Sequence, residues 1–353
     1  MIGSNPNDRT GPLGPEFRLI EKITAHLPSI ADMPPGAAEA LKIGIGDDAA
    51  VWELDGGKLG IFTIDTVVEG VHAFACEPPE AVGARALTAA VSDVAAMGGR
   101  PLMALVALQA AGSSSEEQIV QIYDGIREEA GAVDVAVVGG DVVDTPGPLA
   151  LSVAVFGIAD GGSVWRRSDA QPGEVVAVTG RLGGSRAGVE LLEAAGEAPQ
   201  EDWVKRLMER HMRPRARVKA AGAIAGFGGA GAAIDISDGL SSELWHIALD
   251  SSVAIHINSE QIPLHPDLSN HIAWRTEGSE VDFAIDSGEE FELLVTMAED
   301  HAALEETDLG GEGPLTVIGE IVEGKPEVIM HSGDQQRAVL PGGYSHRHCG
   351  TVY

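Results

Sequence analysis

Residues 80–97 hold the feature that most limits the fold. Val82, Ala86, Leu87, Ala90, Val91 and Val94 recur at spacings of three and four, which sets them on one face of a helix. Gly98-Gly99 follows, as glycine does just past a helix C-terminus. Strand-type segments flank the helix, at 50–54 and 59–66 before it and at 102–109 after it. A helix with one apolar face set among strands points to α/β layering.

The alternation continues to the end of the chain. Helices are predicted at 115–131, 183–195, within 201–226 and at 240–250, with strands at 134–138, 149–158, 174–179 and 232–236. The last hundred residues return to strand-like segments at 253–258, 281–285, 291–297, 315–322 and 326–331. Residues 1–15 read as a loose tail, and 16–27 as a helix carrying Phe17, Leu19, Ile20, Ile23 and Leu27. The polar, Gly-containing stretch 159–173 is the candidate boundary, dividing the chain into 1–162 and 163–353. A chain of 353 residues has room for two such domains. The expected class is α/β (α+β), and the absence of a short-period repeat excludes a solenoid.

Acids outnumber bases 54 to 23, a formal charge of -31. Such a field repels nucleic acid and anionic membranes, but not a phosphorylated ligand that arrives with metal ions. Two cysteines, Cys76 and Cys349, are too few for a disulfide framework and suggest a reducing compartment. No signal-peptide pattern is visible, and the longest apolar stretch, near 101–111, is too short to span a bilayer. A cytoplasmic protein is expected.

The positions of the aspartates matter more than their number. Asp47-Asp48 follows Gly44-Ile45-Gly46, Asp65 ends a predicted strand, and Asp93 follows Ser92 near a helix end. Asp141 follows Gly139-Gly140, and Asp235 and Asp238 share the segment Asp235-Ile236-Ser237-Asp238-Gly239. Element ends beside Gly, Ser or Thr are where ligands are commonly assembled. Mg2+ prefers carboxylates together with phosphate oxygens and water, so converging aspartates would suit a nucleotide site. Each aspartate taken alone also fits a turn former or helix cap.

The turn Gly180-Arg181-Leu182-Gly183-Gly184-Ser185 lies between a strand and a helix, where a helix N-terminus favours anions, and Gly139-Gly140 is a second candidate, although a Gly-rich turn of this kind is more often plain turn geometry. No G-x-x-x-x-G-K-[ST] loop, kinase H-R-D or D-F-G set, zinc spacing or G-x-S-x-G elbow is present. These residues alone reach an aspartate-rich cleft for Mg2+ but name no reaction.

At these positions the sequence resembles thiamine-monophosphate kinases, within the superfamily that includes aminoimidazole ribonucleotide synthase. The resemblance runs from Glu16-Phe17-Arg18-Leu19-Ile20 to about His346. It is carried by Gly44-Ile45-Gly46-Asp47-Asp48, by Ile64-Asp65-Thr66-Val67-Val68-Glu69-Gly70-Val71-His72 and by Ser92-Asp93-Val94-Ala95-Ala96-Met97-Gly98. Val138-Gly139-Gly140-Asp141, Arg167-Ser168, Val178-Thr179-Gly180 and Asp235-Ile236-Ser237-Asp238-Gly239 complete it.

The resemblance implies a two-domain fold whose N-terminal domain builds a shared β-barrel in a homodimer. It implies ATP-dependent phosphorylation of thiamine monophosphate to thiamine diphosphate. Asp48, Thr63, Asp65, Asp93, Asp141, Asp235 and Asp238 would hold several Mg2+ ions, with Asp48, Asp65, Asp93 and Asp141 central to catalysis. Tyr123, Gly140, Asp141, Arg167 and Ser237 would contact ATP, and His72, Glu289 and Tyr344 thiamine monophosphate.

Three places depart from the family pattern: Ile64 replaces a hydroxyl residue, Ser287-Gly288-Glu289-Glu290-Phe291 replaces Gly-Gly-Glu-Asp-Tyr, and Arg347 stands where an aromatic is usual. The alternatives are a sibling enzyme with another small substrate or a non-catalytic nucleotide-binding relative. The hydrogenase-maturation sibling fits poorly, because Gly350-Thr351-Val352-Tyr353 follows Cys349. The selenophosphate-forming sibling needs an N-terminal cysteine, and residues 1–42 have none.

Overall fold

The computed structural model describes residues 15–344, apart from 28, 30–31, 160–163, 195, 277 and 300–307. The tail at 1–14, the divide between 162 and 163, and His346, Arg347 and Cys349 lie outside the described residues.

Two mixed α/β units are present. After α1 (Pro15–Thr24) and α2 (Pro35–Ala40) comes a six-stranded sheet. Its strands are β1 (Leu41–Ile43), β2 (Ala50–Glu53), β3 (Leu59–Val68), β4 (Arg100–Ala111), β5 (Ala136–Thr145) and β6 (Ala150–Ala159), in spatial order β1-β2-β3-β6-β4-β5. α3 (Pro79–Ala96) joins β3 to β4, and α4 (Glu116–Ala132) joins β4 to β5. β4 and β5 run parallel, which a crossover helix permits, while the other neighbours are antiparallel.

The second sheet has seven strands in the order β13-β12-β9-β11-β7-β10-β8. They are β7 (Val175–Thr179), β8 (Ala233–Asp235), β9 (Ala254–Asn258), β10 (Leu293–Met297), β11 (Leu315–Val322), β12 (Glu327–Ser332) and β13 (Gln335–Ala338). Around them lie α5 (Gly184–Glu193), α6 (Asp202–Met212), α7 (Val218–Gly226), α8 (Leu240–Ser251), α9 (Leu268–Arg275) and α10 (Glu280–Ile285).

α3 organises the molecule. Leu87, Val91 and Val94 are buried in one core with Val106, Leu108, Val153 and Val155 of the first sheet. Burying each such side chain is worth about 1.5–3 kcal/mol. Ala95 and Ala96 enter a different core with Trp165, Ala177, Ile224, Leu293 and Val295, so the end of α3 wedges into the second unit. Glycine sets how closely α4 can lie against α3. A Cβ on Gly83 would fall 2.0 Å from the Ile122 carbonyl oxygen, and one on Gly125 1.8 Å from that of Glu80.

Two expectations are corrected. Val281, Phe283 and Ile285 alternate as in a strand, yet 280–285 form α10. The Ser279 hydroxyl accepts from the Asp282 N–H at 3.5 Å, and Glu280 and Asp282 place negative charge in the first turn, both helix-starting features. Asp141 does not follow a strand but lies inside β5, because Val142 and Val143 continue the pattern and pair with Leu108 and Gln109 of β4.

α3 covers one face of the first sheet. The other face presents Phe62, Ile64, Met103 and Leu105, all exposed, and β5 is exposed along nearly its whole length. Among the described residues, no helix is long and apolar enough to cross a membrane.

Candidate active site

Strand alternation brings the first ligands together. Thr63 and Asp65, two residues apart on β3, share the face that meets α3. The Thr63 hydroxyl donates to Asp93 Oδ2 at 2.5 Å across the gap to that helix. Asp48 enters from the loop before β2, and Asp235 from the end of β8 in the other unit. Carboxylate oxygens of Asp48, Asp93 and Asp235 all lie within 4.8 Å of one another. Ile64 points to the opposite face and is 64% exposed, so a hydroxyl there would not reach this cluster.

Electrostatics make the cluster unstable as bare carboxylates. Burial, then the charges of Asp235, Asp65 and Asp48, hold the Asp93 carboxyl well above the usual range. Burial and Asp48 push Asp235 up to about 8. Burial raises Asp48 as well, although Arg167 opposes it. Arg167 donates to Asp48 Oδ1 through Nε at 3.2 Å and through Nη2, and lies 3.9 Å from Asp47. Asp47 is lifted to about 7 by burial and Asp48. Asp48 Oδ2 and Asp235 Oδ2 are buried without a hydrogen-bond partner. Several acids facing one another, with lone pairs unmatched, form a donor set suited to a hard cation.

A cleft of about 470 Å3 opens beside the cluster. Asp65 and Asp238 line its near end, together with Ser237. Asp238 is lifted to about 7 by burial and the charge of Glu16, and its N–H donates to the buried Glu243 at 2.9 Å. His72, Glu289 and Tyr344 also line the cleft. The Tyr344 N–H donates to the Asp238 carbonyl at 2.9 Å, and its ring lies 6.4 Å from that of His72. His72 Nδ1 accepts from the Val68 N–H at 3.1 Å, which leaves Nε2 as the proton-bearing nitrogen of the neutral ring. Glu289 sits at φ 53, its N–H donating to the Ser237 carbonyl at 2.6 Å.

Other expected site residues stand apart from this cluster. Asp141 is on β5 opposite Ala107, in the row that continues through Ser152 to Thr66 on the outward face of the sheet. Gly140 packs so closely on β4 that a Cβ would fall 1.8 Å from the Val106 carbonyl oxygen. Tyr123 is on α4, partly buried against the first core.

The turn at 180–185, expected to favour an external anion, is filled from within. The Glu290 carboxylate accepts from the N–H groups of Gly183 and Ser185 at 2.8 and 3.1 Å and from the Ser287 hydroxyl at 2.7 Å. Arg210 lies 3.0 Å from its other oxygen.

Sequence reasoning missed several lining or supporting groups. Glu243 backs Asp238, and Arg186 and His211 line the cleft. Arg186 and Glu193 sit with Val189 on one turn-spaced face of α5, a pattern readable only once that face is known to border a cavity.

Both units match known proteins. Residues 46–159 match the AIR synthase related protein N-terminal domain, and 171–332 match the corresponding C-terminal domain. The thiamine-monophosphate kinase of Bacillus subtilis (strain 168) is 36% identical over 337 residues, covering 94% of this chain and 99% of that protein. The enzyme of the same name from Aquifex aeolicus (strain VF5) is 35% identical over 287 residues, covering 80% of this chain and 91% of that protein. The solved structure of AaThiL complexed with AMPPCP and TMP is similar with a TM-score of 0.78 at 31% identity, covering 96% of this chain and 99% of that one.

Proposed function

The chain belongs to the AIR synthase related family and, within it, to the thiamine-monophosphate kinases, and from that premise we propose how its cleft transfers phosphate. The reaction is ATP-dependent phosphorylation of thiamine monophosphate to thiamine diphosphate. A phosphate oxygen of thiamine monophosphate attacks the γ-phosphorus of ATP in line, the new P–O bond forms, and ADP leaves with the electron pair of the broken bond.

One observation carries the reading. A buried carboxylate cluster with unmatched oxygens lies beside a cleft lined by acidic and aromatic groups. The donor set fits Mg2+: Asp48, Thr63, Asp93 and Asp235 would hold it, with Asp65 and Asp238 toward the cleft. Mg2+ bound there would neutralise the phosphate charge that two anionic reactants bring together. Arg167 steadies Asp48 and, with Ser237, borders the nucleotide. The acceptor phosphate is already ionised near neutral pH, so no strong general base is required, and among the described residues no Ser/His or Cys/His pair is needed for the step.

In the substrate cleft, Glu289 offers negative charge to the thiazolium cation of thiamine, and Tyr344 and His72 offer ring faces. Asp141, Gly140 and Tyr123 take their nucleotide and metal roles in a homodimer. The exposed apolar sheet face and the open edge of β5 are surfaces that a shared barrel would cover, bringing Asp141 of one protomer to its partner's site. We place the enzyme in the cytoplasm and set its domain divide between 162 and 163.

The test is incubation with ATP, Mg2+ and thiamine monophosphate, followed by chromatography of the products. Thiamine diphosphate should appear in step with ADP. ATP and Mg2+ binding without either product would overturn the substrate assignment.

A further inference from the structure

A buried guanidinium connects the two walls of the substrate cleft. Arg85, on α3, is fully buried and ion-paired to Glu77, with Nη1 2.8 Å from Oε2. Its Nη2 donates to the His72 carbonyl at 2.5 Å, which pins the first unit's loop into the cleft. On the other side, Nη1 lies 3.0 Å from Nε2 of His211, at the end of α6 in the second unit. His211 is 1% exposed and lines the cleft.

This contact fixes the imidazole. Arginine has donors and no acceptor, and it does not deprotonate in proteins. The same Nη1 also donates to the His211 carbonyl at 3.2 Å, and Glu77 Oε1 stands 3.8 Å from Nε2, beyond hydrogen-bond reach, so the nearer guanidinium assigns the lone pair to Nε2 and, in the neutral ring, the proton to Nδ1. Nδ1 lies 3.2 Å from the Ser185 hydroxyl and 3.4 Å from Glu289 Oε2. Its N–H is thus shared between a hydroxyl that fixes the ring and a carboxylate in the cleft. Glu289 also holds a left-handed backbone conformation that a side-chain-bearing residue rarely adopts, so the surrounding structure fixes where its side chain starts.

We propose that His211, held as its Nδ1–H tautomer by Arg85, is a positioning residue that aims the Glu289 carboxylate at the thiamine moiety. Arg85 thereby sets His72 and Glu289, from different units, at a fixed separation. The inference rests on the reading of the cleft as the thiamine site, and it adds a residue to which that reading gave no role.

Two substitutions separate the two ring nitrogens. In His211→Asn the amide N–H replaces Nδ1–H, whereas in His211→Gln the amide oxygen replaces the Nε2 acceptor. His211→Gln should raise the KM for thiamine monophosphate about tenfold, the effect of losing a hydrogen bond to a charged group, with kcat and the KM for ATP within about twofold of wild type. His211→Asn should stay within about threefold in every constant. Equal effects of the two variants, or a parallel fall in all constants, would overturn the proposal.

A second readout needs no turnover. Nitrogen-15 spectra of labelled histidine should show the His211 proton on Nδ1, identified by the signal lost in His211→Asn, and Glu289→Gln should shift that signal. A proton on Nε2, or a signal indifferent to Glu289→Gln, sinks the proposal. Wild-type protein that makes no thiamine diphosphate but passes the spectroscopic test would instead sink the functional reading and leave the His211–Glu289 contact standing.

Discussion

Thr63 on β3 and Asp93 on α3 meet at 2.5 Å, hydroxyl to carboxylate, and that bond lies between the sheet and the helix that wedges the two units together. It is among the influences that hold the Asp93 carboxyl down, against burial and three neighbouring aspartates that raise it. Thr63 therefore offsets part of that rise and orients the Asp93 carboxyl toward the site a cation would take.

Thr63→Val removes the hydroxyl at nearly constant volume. Turnover should fall about 10- to 100-fold, the cost of one hydrogen bond to a charged group, and the Mg2+ concentration for half-maximal rate should rise. Initial rates across a Mg2+ titration check this. A wild-type Mg2+ dependence in that variant would remove Thr63 from the metal site.

The outward sheet face gives a prediction about assembly. Ile64 and Leu105 lie in one cross-strand row, joined through Ala154 of β6. Wild-type protein should sediment at about twice the 36.6 kDa of one chain if that face is covered by a second copy. Ile64→Arg should yield monomers with little activity, since Asp141 would no longer reach a partner's site. A monomeric wild type with full activity would rule out the shared barrel.

Much of this was legible in the sequence because periodicity and glycine placement are local. The 80–97 helix and most strands of both sheets follow from spacing alone, whereas spacing left each aspartate open as a turn former or cap, and only the fold brings Asp48, Asp93 and Asp235 together. Ile64 shows where a motif misleads: by position it replaces a hydroxyl beside Asp65, but strand alternation turns it to the other face. The turn at 180–185 misled for a different reason. Its occupant, Glu290, is more than a hundred residues away in sequence, and nothing local announces that a carboxylate of the same chain takes the anion's place. His211 was likewise invisible, since its role depends on Arg85 of the other unit.

Glu290 yields a prediction that separates packing from chemistry. The carboxylate is fully buried, capped by two backbone N–H groups and Ser287, with Arg210 at 3.0 Å. Glu290→Gln keeps the shape and removes the charge, so Arg210 loses one of its buried partners. Stability should drop by about 2–4 kcal/mol, measured by urea unfolding. The KM for ATP of the remaining folded enzyme should stay unchanged, because this helix N-terminus is already occupied. A large rise in that KM would return the turn to the list of phosphate-binding candidates.

The acid cluster ties stability to pH and metal together. Asp235 is lifted to about 8 and Asp47 and Asp238 to about 7, from the ordinary carboxyl value of 3.8, chiefly by burial. Between about pH 4 and pH 8 the folded, metal-free protein holds protons that the unfolded chain has released. Raised carboxyl pKa values of this kind contribute stability at low pH that is lost as pH climbs through the folded values. Metal-free protein should therefore become less stable as pH rises from about 6 to 8, each unmatched proton being worth about 1.4 kcal/mol per pH unit. Mg2+ binds the ionised form and reverses the loss, so the Tm difference between Mg2+-loaded and chelator-treated protein should widen by several degrees over that range. Scanning calorimetry at both pH values decides it. A gap that stays constant or narrows would mean the cluster keeps its charge without a cation.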